Sequence, residues 1–109
     1  MAKKFGLSPG EIRPLAMGFG ACMASDRITV DRQRVGFMYR EDGDHDSDSG
    51  WRFLAGDESE EYLSNPSNFE IYDVNTIANY DPAIVRHLEA PIGASFVRDP
   101  SSGQLLADN

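Results

Sequence analysis

The chain holds one cysteine, Cys22, so it cannot close an internal disulfide. That excludes the disulfide framework that staples many small secreted domains. Histidine is nearly as scarce, and His45 and His87 lie too far apart in sequence for a zinc-ligand pair. No stretch approaches the roughly 18 uninterrupted apolar residues of a membrane-spanning helix. The N-terminus, Met1 to Pro9, carries two lysines without an apolar run behind them, so it does not read as a signal peptide. A phosphate-cradling loop is missing as well: Gly18 and Gly20 lack a third glycine, and no Lys-Ser/Thr pair follows. Basic residues are few, 10 Lys and Arg against 18 Asp and Glu, for a net charge of −8. A field of that sign repels nucleic acid and anionic membrane and attracts cationic partners. A soluble, reducing, cytoplasmic setting is expected, with no cofactor and no metal.

What is present suffices for one core. The chain has 109 residues, 40% of them apolar, with Trp51, four Tyr and six Phe. That is near the commonest domain size and needs no metal or cross-link for stability. One α+β domain is expected over residues 8–98, between a flexible arm at 1–7 and a flexible tail at 99–109. Its antiparallel or mixed sheet should have about four to six short strands, with two or three short helices packed on one side.

Local signals place these elements. Ser8-Pro9-Gly10-Glu11 has the form of a helix start, cut short by Pro14. The apolar run 17–24 reads as a buried strand. Residues 28–30 and 35–40 read as two further strands, with a turn at 31–34. Within the second, Val35, Phe37 and Tyr39 alternate with Gly36, Met38 and Arg40, which marks a strand with two distinct faces. Residues 41–50 are polar and acidic and read as an exposed loop, because a core could not absorb that charge. Gly50 to Leu54 returns as the partner strand of 35–40. A helix capped by Asp57, with Glu60 in its first turn, runs to Leu63, and Asn65-Pro66 stops it. Phe69–Tyr72 is a strand and 74–79 a helical turn. Asp81-Pro82 opens a helix with Ile84 and Leu88 on one face, and 94–97 is a last strand.

The charge is localised. Residues 41–61 hold nine acids against Arg52 alone, a net of −8, while the remaining acids and bases cancel. The exposed members, Asp42, Asp44, Asp46, Asp48, Asp57, Glu58, Glu60 and Glu61, are the candidate partner-binding residues. Asp44, Asp46 and Asp48 alternate like a calcium loop, but Ser49 and Ala55 stand where that loop needs Gly and Glu. Cys22 lies in an apolar run, where cysteine behaves as a small core residue; as a nucleophile it would need His45 or His87 beside it. Trp51 has two readings, a core aromatic or an exposed anchor beside an acidic rim, and the core reading is favoured because a small domain needs its largest side chain inside. No catalytic residues are identified, and a non-catalytic binding protein is the expectation. A small-ligand-sensing module is the alternative, and it requires a concave apolar pocket.

Five runs carry a resemblance: Leu15–Val30 (LAMGFGACMASDRITV), Val35–Glu41 (VGFMYRE), Asp48–Phe53 (DSGWRF), Ala55–Glu58 (AGDE) and Ile71–Asp81 (IYDVNTIANYD). Together they resemble the bacterial immunity protein 33 domain family, formerly catalogued as a domain of unknown function, over residues 8–98. The resemblance implies an antidote that binds and neutralises a cognate protein toxin, and it brings no catalytic residue. The turn Asp31-Arg32-Gln33-Arg34 departs from the family in being more basic.

Overall fold

Strand β3 (Asp48–Leu54) lies at the centre of the sheet because its inward side chains, Trp51 and Phe53, are the two largest that the chain buries completely. In the computed structural model, which describes residues 3–108, β3 pairs in parallel with β1 (Ala21–Ser25) and antiparallel with β2 (Phe37–Arg40). Strand β4 (Phe69–Asp73) lies outside β1, and β5 (Ser95–Arg98) and β6 (Leu105–Ala107) extend the sheet beyond β2, all antiparallel. The result is a six-stranded mixed sheet in the order β4-β1-β3-β2-β5-β6, a single α+β domain as expected.

One face of the sheet carries helix α1 (Asp26–Thr29), helix α3 (Val74–Tyr80) and a 3-10 segment (Pro82–His87), which contribute Ile28, Val74, Ile77, Ala78 and Ile84. These form one buried cluster with Cys22, Ala24, Met38, Trp51 and Phe53 of the sheet. The small inward residues of β1 let α1 and α3 approach it closely. The Trp51 indole N–H donates to the Leu88 carbonyl at 3.1 Å, so its polar atom is satisfied in the interior and Trp51 is a core residue. Asp73 caps α3 by accepting from the Asn75 N–H. Asp81 then ends α3 and starts the 3-10 segment, accepting from Ala83 N–H and Val35 N–H and ion-pairing with Arg98.

The structure departs from the sequence reading in several elements: the buried strand expected over 17–24 is β1, which starts only at Ala21 and leaves Met17 exposed ahead of it. Residues 28–30 are not a strand: Ser25 accepts from Arg27 N–H and opens α1, which buries Ile28 and Thr29. The loop expected over 41–50 ends at 47, and 48–50 begin β3 with Ser49 and Gly50 buried. Gly50 has φ +85°, and a Cβ there would lie 2.0 Å from the Glu41 carbonyl oxygen, so only glycine fits. The helix expected from Asp57 is a single turn, α2 (Glu60–Leu63), capped by Ser59. Described residues near both ends make contacts with the domain. Lys3 pairs with Asp26 and Glu70, and Gly6 N–H donates to the Thr29 carbonyl. Leu105 of β6 is buried on the core side. Residues 1 and 2 of the arm and 109 of the tail lie outside the described residues.

Candidate partner-binding surface

The candidate acids divide between the two ends of β3. Asp42, Asp44 and Asp46 stand exposed on the β2–β3 connection. Asp48 does not join them. Its carboxylate is gripped by Arg52 through Nη1 at 3.0 Å and Nη2 at 2.8 Å, and it accepts from the Asp44 and Gly50 N–H groups. Both side chains are only 8% exposed. The Arg52 guanidinium holds the Asp48 carboxyl far below the usual carboxylate range, and Glu41 closes the cluster at 2.7 Å from Arg52 Nε. At the other end, Asp57 pairs with Arg27, which lowers its carboxyl, and Glu58 turns back to accept from the Ala55 and Gly56 N–H groups, both at 2.8 Å. Glu60 and Glu61 stand exposed on α2.

A seven-residue strand separates these groups. At the rise of an extended chain that is roughly 20 Å. It exceeds twice the Debye length of about 8 Å at physiological salt, so the two groups act as separate rims and their fields do not add into one patch.

Between the rims lies the second face of the sheet, opposite α1 and α3. Strand alternation turns Met23 of β1, Leu54 of β3, Phe37 and Tyr39 of β2, and Phe69 and Ile71 of β4 toward this side. Leu63 of α2 and Pro66 wall the face at one end, and together these residues line an open apolar groove of about 870 Å³. At the opposite end Met23, Ile71 and Arg52 meet Asp44 and His45 of the acidic connection around a small cavity of about 50 Å³. Both acidic segments therefore border the same apolar face.

The family model described as the immunity protein Imm33 domain matches residues 22–107, from β1 through β6. The chain belongs to this family. Comparisons with curated proteins and with solved structures each found no match.

The chemistry available to this Imm33 domain is limited at its sole thiol. Cys22 and His45 both line the small cavity, yet burial, with Asp73 nearby, pushes the Cys22 thiol well up, so it stays protonated and is a poor nucleophile. Asp44, Asp46 and Asp48 do not converge on a common point for a cation, since Asp48 is committed to Arg52; among the described residues no group of three or more His, Cys, Asp or Glu side chains is arranged to hold a metal ion. Likewise, no helix of the described residues is long and apolar enough to cross a membrane. His87 stacks on Phe96 with ring centroids 4.2 Å apart, and burial lowers its pKa, as suits an imidazole packed against the sheet rather than an exposed cation.

Sequence reading missed the apolar outer face, although a signal was there. Phe37 and Tyr39 were recognised as sharing a face opposite Met38. With Met38 completely buried, the two aromatics must point the other way. Strand β2 therefore carries apolar side chains on both faces.

Proposed function

We propose that this Imm33 domain is a cytoplasmic immunity protein that neutralises a cognate toxin by direct, non-catalytic binding, and that the toxin presents a basic surface. The observation that carries the proposal is the family match, which spans all six strands of the sheet. The exposed carboxylates Asp42, Asp44 and Asp46 at one rim and Glu60 and Glu61 at the other support a cationic partner, because complementary fields raise association rates.

The test pairs the purified protein with the toxin encoded beside its gene. Protection of cells should require co-expression. In solution, inhibition should titrate to a fixed stoichiometry and be reversed when the two are separated. Protection at a small fraction of the toxin concentration, surviving removal of the protein, would show covalent modification of the toxin and end the binding model.

One observation favours a small-ligand module as a second reading: the groove of about 870 Å³ lies within the range of ligand pockets, roughly 300–1,000 Å³. Such pockets enclose most of their ligand. This one is an open trough on a sheet, so a small molecule would remain largely in water, whereas a protein surface would seal it.

A further inference from the structure

We propose that the face of the sheet opposite α1 and α3 is the toxin-docking surface, and that its occupant is a toxin surface with an apolar strip flanked at both ends by Lys or Arg. The proposal rests on the immunity reading and adds the place and the chemistry of contact.

Three observations carry it. First, the face is unusually apolar for a surface left in water. Ile71 is 70% exposed, Leu63 43% and Met23 38%, and the strip continues past Phe37 to Val97 and Leu106 on the outer strands. Isolated exposed apolar residues are ordinary, but a contiguous set rimmed by charge marks an interaction site. Second, both rims are acidic, with Asp42, Asp44 and Asp46 beyond one end of β3 and Glu60 and Glu61 beyond the other. Third, Arg52, the cation between the trough and the Asp42–Asp46 rim, is already paired with Asp48 and Glu41. The face therefore offers a partner a dry centre and uncompensated negative charge at both ends.

That charge pattern selects the occupant. A second copy docked on this face would bring acidic rim against acidic rim, because an isologous contact pairs a surface with itself. Like charges facing each other across an interface oppose binding. A partner whose cations lie roughly 20 Å apart, on either side of an apolar strip, matches both the length of β3 and its rims.

The experiment uses the whole chain and the catalytically inactivated toxin encoded beside its gene. Ile71→Arg and Leu63→Arg replace exposed side chains, so both variants should melt like wild type. Each should weaken toxin binding by at least about 30-fold, as loss of an interface anchor does. Ile92→Arg alters a comparably exposed apolar residue, 59% exposed and outside the groove, and should change affinity by less than about threefold. Hydrogen exchange on the wild-type complex should show protection at residues 37–39 and 69–73.

Wild-type affinity in both groove variants, with no protection on these strands, overturns the docking surface while leaving the immunity function standing. Failure of the wild-type protein to bind the toxin refutes the function itself, and the docking proposal falls with it. A free wild-type chain that is a dimer, split by Ile71→Arg, gives the face to a second copy and also overturns the proposal.

Discussion

Replacing Asp48 by Asn should cost about 3 kcal/mol of folding stability, whereas Asn at Asp42, Asp44 and Asp46 together should cost almost nothing. The contrast follows from where the four carboxylates sit. Asp42, Asp44 and Asp46 are exposed. Charges in water contribute a few tenths of a kcal/mol each. Asp48 is 8% exposed and makes a two-pronged contact with Arg52, which is equally hidden. Removing one member of a buried pair strands the other charge, at about 3–5 kcal/mol. The low end applies here, because Glu41 stays on Arg52 Nε. Substituting both partners, Asp48→Asn with Arg52→Met, should recover part of the loss, since no buried charge is then left alone. The pH dependence has a definite sign. The folded Asp48 carboxyl lies below its unfolded value of 3.8, so its stabilisation is full above that pH and is lost as pH falls below it. Urea denaturation at pH 7 and across pH 2–5 reads both effects. A loss below about 1 kcal/mol in Asp48→Asn at pH 7 would mean that the carboxylate is solvated, and the pairing scheme on the outer face would be wrong.

Trp51→Ala should destabilise the domain by about 3–5 kcal/mol, because it empties the centre of the core and leaves the Leu88 carbonyl without its donor; a loss under about 1 kcal/mol in chemical denaturation contradicts the packing. Cys22→Ala should leave toxin neutralisation intact, and the native thiol should react with a thiol reagent only as fast as the protein unfolds; fast native labelling would show an accessible thiolate. The triple change Asp42→Asn, Asp44→Asn and Asp46→Asn should slow toxin association by up to about tenfold at low salt and have little effect at high salt, and equal rates at low salt would remove this rim from the encounter.

Much of the fold was legible because local chemistry and tertiary packing agree. The strands expected over 35–40 and 50–54 are present as β2 (Phe37–Arg40) and β3 (Asp48–Leu54), the first shorter and the second longer at its start than expected. Asp81-Pro82 announces its segment through a cap and a preset φ, and the side chain does cap it. Residues 28–30 failed for the opposite reason. Ile28-Thr29-Val30 has strand propensity, but Ser25 caps the turn and the core takes Ile28 and Thr29 from a helix. Strand β6 was missed because Leu105-Leu106-Ala107 is a short apolar run in an otherwise polar tail, and its pairing with β5 is a tertiary contact that no local pattern shows. For the acids, exposure could be read from the sequence and grouping could not. Grouping depends on the length of β3, which puts one set at each end. The commitment of Asp48 was hinted at by its spacing: in a strand, residues four apart share a face, and Arg52 stands four residues on.

On the proposed docking surface, the two rims and the apolar trough would divide the work of recognition. Exposed charges act at distances of a Debye length and beyond contact, so they speed encounter, and their effect fades with salt. Apolar contacts act only after water is expelled, so they set how slowly the complex separates. In this protein the two kinds of group occupy different residues: Asp42, Asp44, Asp46, Glu60 and Glu61 at the rims, and Met23, Leu63 and Ile71 in the trough. Rim substitutions should therefore change the association rate and its salt slope, and trough substitutions the dissociation rate. An antidote needs both, since a toxin must be caught quickly and then held. A smaller acidic set would slow capture, and a polar trough would let the toxin go. The apolar exposure would otherwise be an aggregation hazard, and the like charge of the exposed acids on either side of it keeps copies of this chain apart.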